Sequence, residues 1–210
     1  MATAEPYTAP VQALIVLCHP YERSFCRAIA DALRKDLAAA GVPAAGAVPT
    51  AVFHDLYAEH PDPVLTGAEI ARRFSLDDQI QRYSTEVTNA DRLWFVHPDW
   101  WSGPPALLKG WLERVFRPGI AYDWQGEEFT EKRHVPLLTG KDLAVFVTTD
   151  RDEDDPPFPI EGFWRDVAAY SGMQLTRYTV YPDLRRSGHR RRRMWLQEAR
   201  EFAQGCQSHG

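Results

Sequence analysis

The chain has 210 residues, 44% hydrophobic and 25% charged, the balance of a soluble globular protein of one domain over residues 1–210, or at most two small ones. Its formal charge of -5 argues against a general nucleic-acid binder, and no apolar run is long enough to span a membrane. Met1 to Pro10 lacks the basic region and apolar stretch of a signal peptide, and Cys18, Cys26 and Cys206 form neither a disulfide nor a zinc spacing. A cytoplasmic location is therefore expected.

Ala13 to Cys18 reads as a first strand. From Ser24, the residues Phe25, Ala28, Ile29, Ala32, Leu33 and Leu37 follow a helical period that Gly41 should stop. Ala51-Val52-Phe53 is a weaker strand, and Gly41 to Thr50 and His60 to Pro63 look like surface connections. A helix over Asp77 to Ala90 precedes a strand at Leu93 to Val96, and a helix over Ala106 to Phe116 follows. Then come a strand at Leu143 to Val147, a helix from Glu161 to Tyr170, a weak strand from Gln174 to Tyr181 and a helix from Arg191 to Ala203. The strands are close to continuously hydrophobic, as strands covered on both faces should be. Alternation with helices predicts an α/β fold, a doubly wound three-layer sandwich around a five-stranded parallel sheet. Its core is expected over residues 11–181, with 182–210 a basic C-terminal helix. Ligands bind such sheets beyond the carboxyl ends of the strands, so the loops there carry the functional argument.

The loop after the first strand runs from His19 to Cys26 and contains neither a dinucleotide glycine fingerprint nor a P-loop. A His, an Arg and a Ser stand where an anion would meet the start of the first helix. Ser24 could donate to that anion or do no more than cap the helix; position leaves both open. The loop after the third strand, His97-Pro98-Asp99-Trp100-Trp101-Ser102-Gly103-Pro104-Pro105, is more specific. Two adjacent tryptophans in a Pro/Gly-bounded loop expose costly aromatic area unless a partner covers it. A flat heteroaromatic ring would do so by stacking, and a dimer interface would do so by packing. Trp94 and Trp111 are expected in the core.

The stretch Pro98-x-x-Trp101-x-x-x-Pro105-Ala106-x-Leu108-Lys109-Gly110-Trp111, with His19 and Ser24-Phe25, resembles the NAD(P)H:quinone oxidoreductase family of flavodoxin-like flavoproteins. The likeness runs from about Val11 to Tyr181. It implies a flavin, FAD or alternatively FMN, bound at a homodimer interface, with NAD(P)H as electron donor. By that likeness His19, Ser24, Phe25 and Cys26 would hold the flavin phosphates, Cys26 standing where the family usually has Asn. Pro98, Asp99, Trp100, Trp101 and Ser102 would lie along the isoalloxazine. Tyr122 and Trp124 would line the substrate pocket, often from the partner subunit. After the fourth strand, Thr148-Thr149-Asp150-Arg151 replaces the family's Thr-Thr-Gly-Gly, and Thr148, Thr149 and Asp150 would meet the pyrimidine side of the ring. A carboxylate there would disfavour an anionic reduced ring.

Two charge runs stand apart. Asp150 to Asp155 carries -4, and Arg185, Arg186 and Arg190 to Arg193 carry +6. Such runs are usually solvated faces; a cationic substrate, the 2′-phosphate of NADPH or a neighbouring subunit are the alternatives. The expected function is hydride transfer from NAD(P)H through flavin to a quinone or similar small aromatic acceptor. A tailoring flavoenzyme with another substrate, or a non-catalytic flavin-binding subunit, are the other readings. No metal site is expected. His97 could act in acid–base chemistry, though a His at that position is more often a packed loop residue.

Overall fold

In a computed structural model, which describes residues 13–39, 51–126, 133–155 and 159–206, the five expected strands form one parallel sheet. They are β1 (Ala13–Leu17), β2 (Val52–Asp55), β3 (Arg92–Pro98), β6 (Asp142–Thr148) and β7 (Gln174–Tyr181), in the order β2-β1-β3-β6-β7. The order reverses between β1 and β3, which places the switch point where their carboxyl ends diverge.

The sheet is covered on both faces because β1 sends alternate side chains to opposite sides. Ala13, Ile15 and Leu17 pack with Ile29 and Leu33 of α1 (Phe25–Ala39) and Trp195 and Ala199 of α7 (His189–Gly205). Leu14, Val16 and Cys18 face the other way, toward Ile80 and Tyr83 of α4 (Asp78–Asn89), Trp111 of α5 (Ala106–Val115) and Trp164 of α6 (Pro159–Ser171). Trp94, Trp111 and Trp164 are fully buried. Each large side chain of this kind stabilises the fold by roughly 1.5–3 kcal/mol. The expected helix stop at Gly41 lies outside the described residues.

The elements the sequence did not reveal are short. Two are α2 (Leu56–Glu59), capped by the Asp55 carboxylate, and α3 (Gly67–Arg72), opened by a capping box between Thr66 and Glu69. The others are β4 (Tyr122–Gln125) and β5 (Arg133–Pro136), an antiparallel pair of four residues each. Their patterns are too short to show a period. The connection from His60 to Pro63, expected as a surface connection, also straps α5. A Cβ on Gly110 would come within 2.2 Å of the Pro63 carbonyl oxygen, so only glycine allows that approach. The Arg114 Nη1 donates to the Asp62 carbonyl at 2.8 Å, and its Nη2 and Nε donate to buried Glu69 at 2.7 and 3.1 Å. Burial would raise the Glu69 carboxyl, but Arg114, Ser75 and Thr66 hold it down to about 2.

Candidate functional site

Three loops meet beyond the carboxyl ends of β1, β3 and β6, tied by continued sheet bonding. The Cys18 amide donates to Val96 at 3.0 Å, that of Asp99 to Thr148 at 2.8 Å and that of Thr149 to Tyr181 at 3.1 Å. They enclose a cleft of about 470 Å³ lined by His19, Pro98, Asp99, Trp100, Trp101, Ser102, Thr148, Thr149, Asp150, Arg151 and Leu184. Nine of the residues expected at the site therefore share one wall system. Arg151 and Leu184 were not expected there. Leu184 arrives from beyond β7 because its amide donates to Thr149 at 3.0 Å, a pairing that no local pattern announces.

The β3–α5 loop turns sharply. Trp100 and Gly103 exchange two backbone hydrogen bonds, of 3.0 and 3.2 Å, around Trp101 and Ser102, whose φ angles are +56° and +60°. That is a tight turn of the kind that favours Asn and Gly, built here from two residues with a side-chain penalty. Strain of this sort, on the order of 1–3 kcal/mol per residue, collects at binding sites. Its effect is visible: Trp101 is wholly exposed and Trp100 is 42% exposed. Asp99, just before the turn, holds the Thr149 hydroxyl at 3.5 Å on Oδ2, while its Oδ1 is buried with no hydrogen-bond partner. Burial raises the Asp99 carboxyl, and the charge of Arg151, the nearby Ser102 and Gly103 amides and the Thr149 hydroxyl oppose that shift.

At the β1 end, the Tyr21 amide donates to His19 Nδ1 at 3.0 Å. Burial lowers the His19 ring, so it is neutral and carries its proton on Nε2, leaving a donor for the cleft. Ser24 accepts from the Arg27 amide at 3.1 Å and so caps α1; its own hydroxyl proton stays available. Ser24, Phe25 and Cys26 do not line the cleft. Phe25 packs edge-on against Tyr181, 5.9 Å between ring centres, and beside Trp195. The Cys26 thiol contacts the Thr148 hydroxyl at 3.1 Å, and burial pushes it up to about 12. It acts as a packed, inert thiol joining α1 to β6.

His97 is a packed residue near the end of β3, not a loop residue. Nδ1 donates to the Pro98 carbonyl at 2.9 Å, and Nε2 accepts from the Trp164 indole at 3.0 Å. Burial pushes its ring down to about 4, against the Pro98 bond, so the imidazole is neutral at neutral pH.

The two charge runs, expected as solvated faces, pair with each other. Asp150 accepts from the Arg185 side chain at 2.7 Å and from its amide at 3.2 Å. Arg186 binds Asp152, and Arg191 binds Glu153 at 2.5 Å. The Asp183 amide, at φ +50°, donates to the Arg151 carbonyl at 2.8 Å. The β6 loop is thereby latched to the chain leading into α7, and the charge of Asp150 is met outside the cleft.

Tyr122 and Trp124 lie off this cleft. Tyr122 helps line a separate, largely apolar groove of about 620 Å³ with Leu112, Phe116, Phe163 and Tyr170. Trp124 stands 43% exposed and edge-on to His134.

Residues 12–204 match the model of a family described by its flavodoxin-like fold, and the chain belongs to that family. Among curated proteins it is 34% identical, over 67% of its length, to an uncharacterized NAD(P)H oxidoreductase of Haemophilus influenzae, and 32% identical, over 64%, to NAD(P)H dehydrogenase [quinone] 1 of Cavia porcellus. These matches span 65% and 55% of the relatives' own lengths. The NAD(P)H:quinone oxidoreductase of Methanothermobacter marburgensis, 23% identical, shares the fold at a TM-score of 0.67 over 96% of this chain and 100% of that one. The family resemblance read from the Pro98 to Trp111 stretch is thus borne out. No helix among the described residues is long and apolar enough to cross a membrane.

Proposed function

We propose that this chain is a flavin-dependent NAD(P)H oxidoreductase acting on a quinone or similar small aromatic acceptor. The single observation that carries this reading is the cleft at the sheet's switch point, which has two chemically different ends. One end offers the His19 Nε2–H, suited to an anion, and the same loop runs on into the start of α1 with its Ser24 cap, which does not itself line the cleft. The other offers a strained turn, an uncovered Trp101 and an unpartnered Asp99 oxygen, all suited to a flat ring with polar edges. A flavin, FAD or FMN, joins a phosphate to such a ring, and the names of the relatives support an NAD(P)H-dependent redox reaction. When bound it would supply the hydride chemistry, while the protein orients it and shapes the field around it. Both ring nitrogens of His97 are engaged in packing contacts, so the reading assigns it no proton transfer.

A homodimer belongs to this proposal. Tyr122 and Trp124 sit beside an apolar groove rather than in their own chain's cleft, which suits residues offered to the site of a second copy. Purified protein should be yellow, or become so with FAD or FMN, and should bleach anaerobically with NADH or NADPH and regain colour with a quinone. Failure to take up either flavin ends the reading. Uptake without reduction supports the non-catalytic subunit, and reduction without reoxidation by quinones supports another acceptor. Leu112→Glu, in the groove, should shift sedimentation toward the monomer; an unchanged profile removes the dimer face.

A further inference from the structure

The carboxylate that faces the cleft is a different one from the carboxylate that the departure after β6 singles out. Asp150 has its oxygens engaged by Arg185 from outside. Asp99 has one oxygen at the limit of a bond to Thr149 and the other buried and unpartnered, on the residue just before the turn that carries Trp101. A buried carboxylate oxygen without a donor is costly, so its place invites a group that supplies one or a proton.

We propose that Asp99 sets the charge of the reduced cofactor, its carboxylate favouring a reduced ring that has gained a second proton over the anionic form. This rests on the flavin reading above. Hydride transfer brings two electrons and one proton to the ring and leaves NAD(P)+. The second proton comes from solvent, and a fixed negative charge beside the ring makes its uptake favourable. The charged and titratable groups around Asp99 are few. Arg151 and Asp150 approach from the β6 loop, Asp150 already neutralised by Arg185. His19 is neutral, and the Tyr178 phenol on β7, pushed up by burial, is neutral as well. Arg151, with the Ser102 and Gly103 amides, therefore offsets Asp99 in part, and Arg151 also pairs with Asp155 at 3.6 Å. Asp99 is a positioning residue in this role, acting on the ring's charge rather than transferring hydride.

The test is the midpoint potential of the bound flavin against pH in the wild type, Asp99→Asn and Arg151→Gln, with the affinity for oxidised flavin measured alongside. In Asp99→Asn, the preference for reduced over oxidised flavin should rise about tenfold at neutral pH, which is about 30 mV for a two-electron couple. The break where the slope halves should move down by about one pH unit. Arg151→Gln should move both the opposite way, and it decides the matter if Asp99→Asn fails to retain flavin. Flavin bound with an unchanged potential and break in these variants overturns the inference while leaving the flavin reading intact. If no form binds FAD or FMN, the flavin reading falls and takes the inference with it.

Discussion

The two halves of the stretch from Pro98 to Phe116 are built on opposite terms. The first half turns at Trp101 and Ser102 with two left-handed residues and a fully exposed indole. The second half, in α5, buries Trp111, brings Gly110 against Pro63 and satisfies a buried Arg114 with Glu69 and the Asp62 carbonyl. One half tolerates strain and exposure that a ligand could relieve, and the other packs and pairs its large side chains, the Trp111 indole nitrogen excepted. A motif read as one unit in sequence thus divides into an exposed, strained part and a packed, supporting part, and substitutions should respond to the division.

The largest effect should come from Arg114→Met, which leaves Glu69 charged and buried without its partner. A loss of about 3–5 kcal/mol in urea unfolding is expected, and a loss below about 1 would show that the pair is dispensable. Gly110→Ala should cost about 1–3 kcal/mol because the strap at Pro63 must shift. A third effect enters through Tyr83, whose ring lies 5.7 Å from Trp111 and 4.8 Å from His54. Burial pulls the His54 ring down, but Glu59 at 2.9 Å and Glu86 at 2.7 Å raise it to about 9. Its contribution is fully present below the unfolded value of 6.5 and is lost as pH rises through 9. The melting temperature should fall over that range in the wild type, and His54→Gln should flatten the slope. The smallest effect has the opposite sign. Ser102→Gly should stabilise the protein by up to about 1 kcal/mol by relieving its φ of +60°. If it also leaves flavin affinity unchanged, the strain in the turn has no part in binding.

How much of this was legible in the sequence follows from the range of each interaction. The parallel strands were visible because both of their faces are buried, which makes short apolar runs such as Leu93 to Val96. Ser24 and Phe25 could be placed at the start of α1 because caps are local. The pairing of Asp150 with Arg185 could not be read, since 35 residues separate them and each run alone looks like a solvated face. For the same reason Arg114 gave no sign of burial, because its partner Glu69 stands 45 residues away on a helix of only six residues.

By itself, then, the sequence determined the succession of the five sheet strands and the longer helices, the position of the switch-point loops and the tryptophan-bearing loop, all of which rest on local periodicity and residue type. Tertiary structure decided which charges face the cleft. Desolvation and pairing are properties of neighbours far apart in the chain. They left Asp99 with an unpartnered oxygen, compensated Asp150 from outside and turned Tyr122 and Trp124 away from the cleft of their own chain.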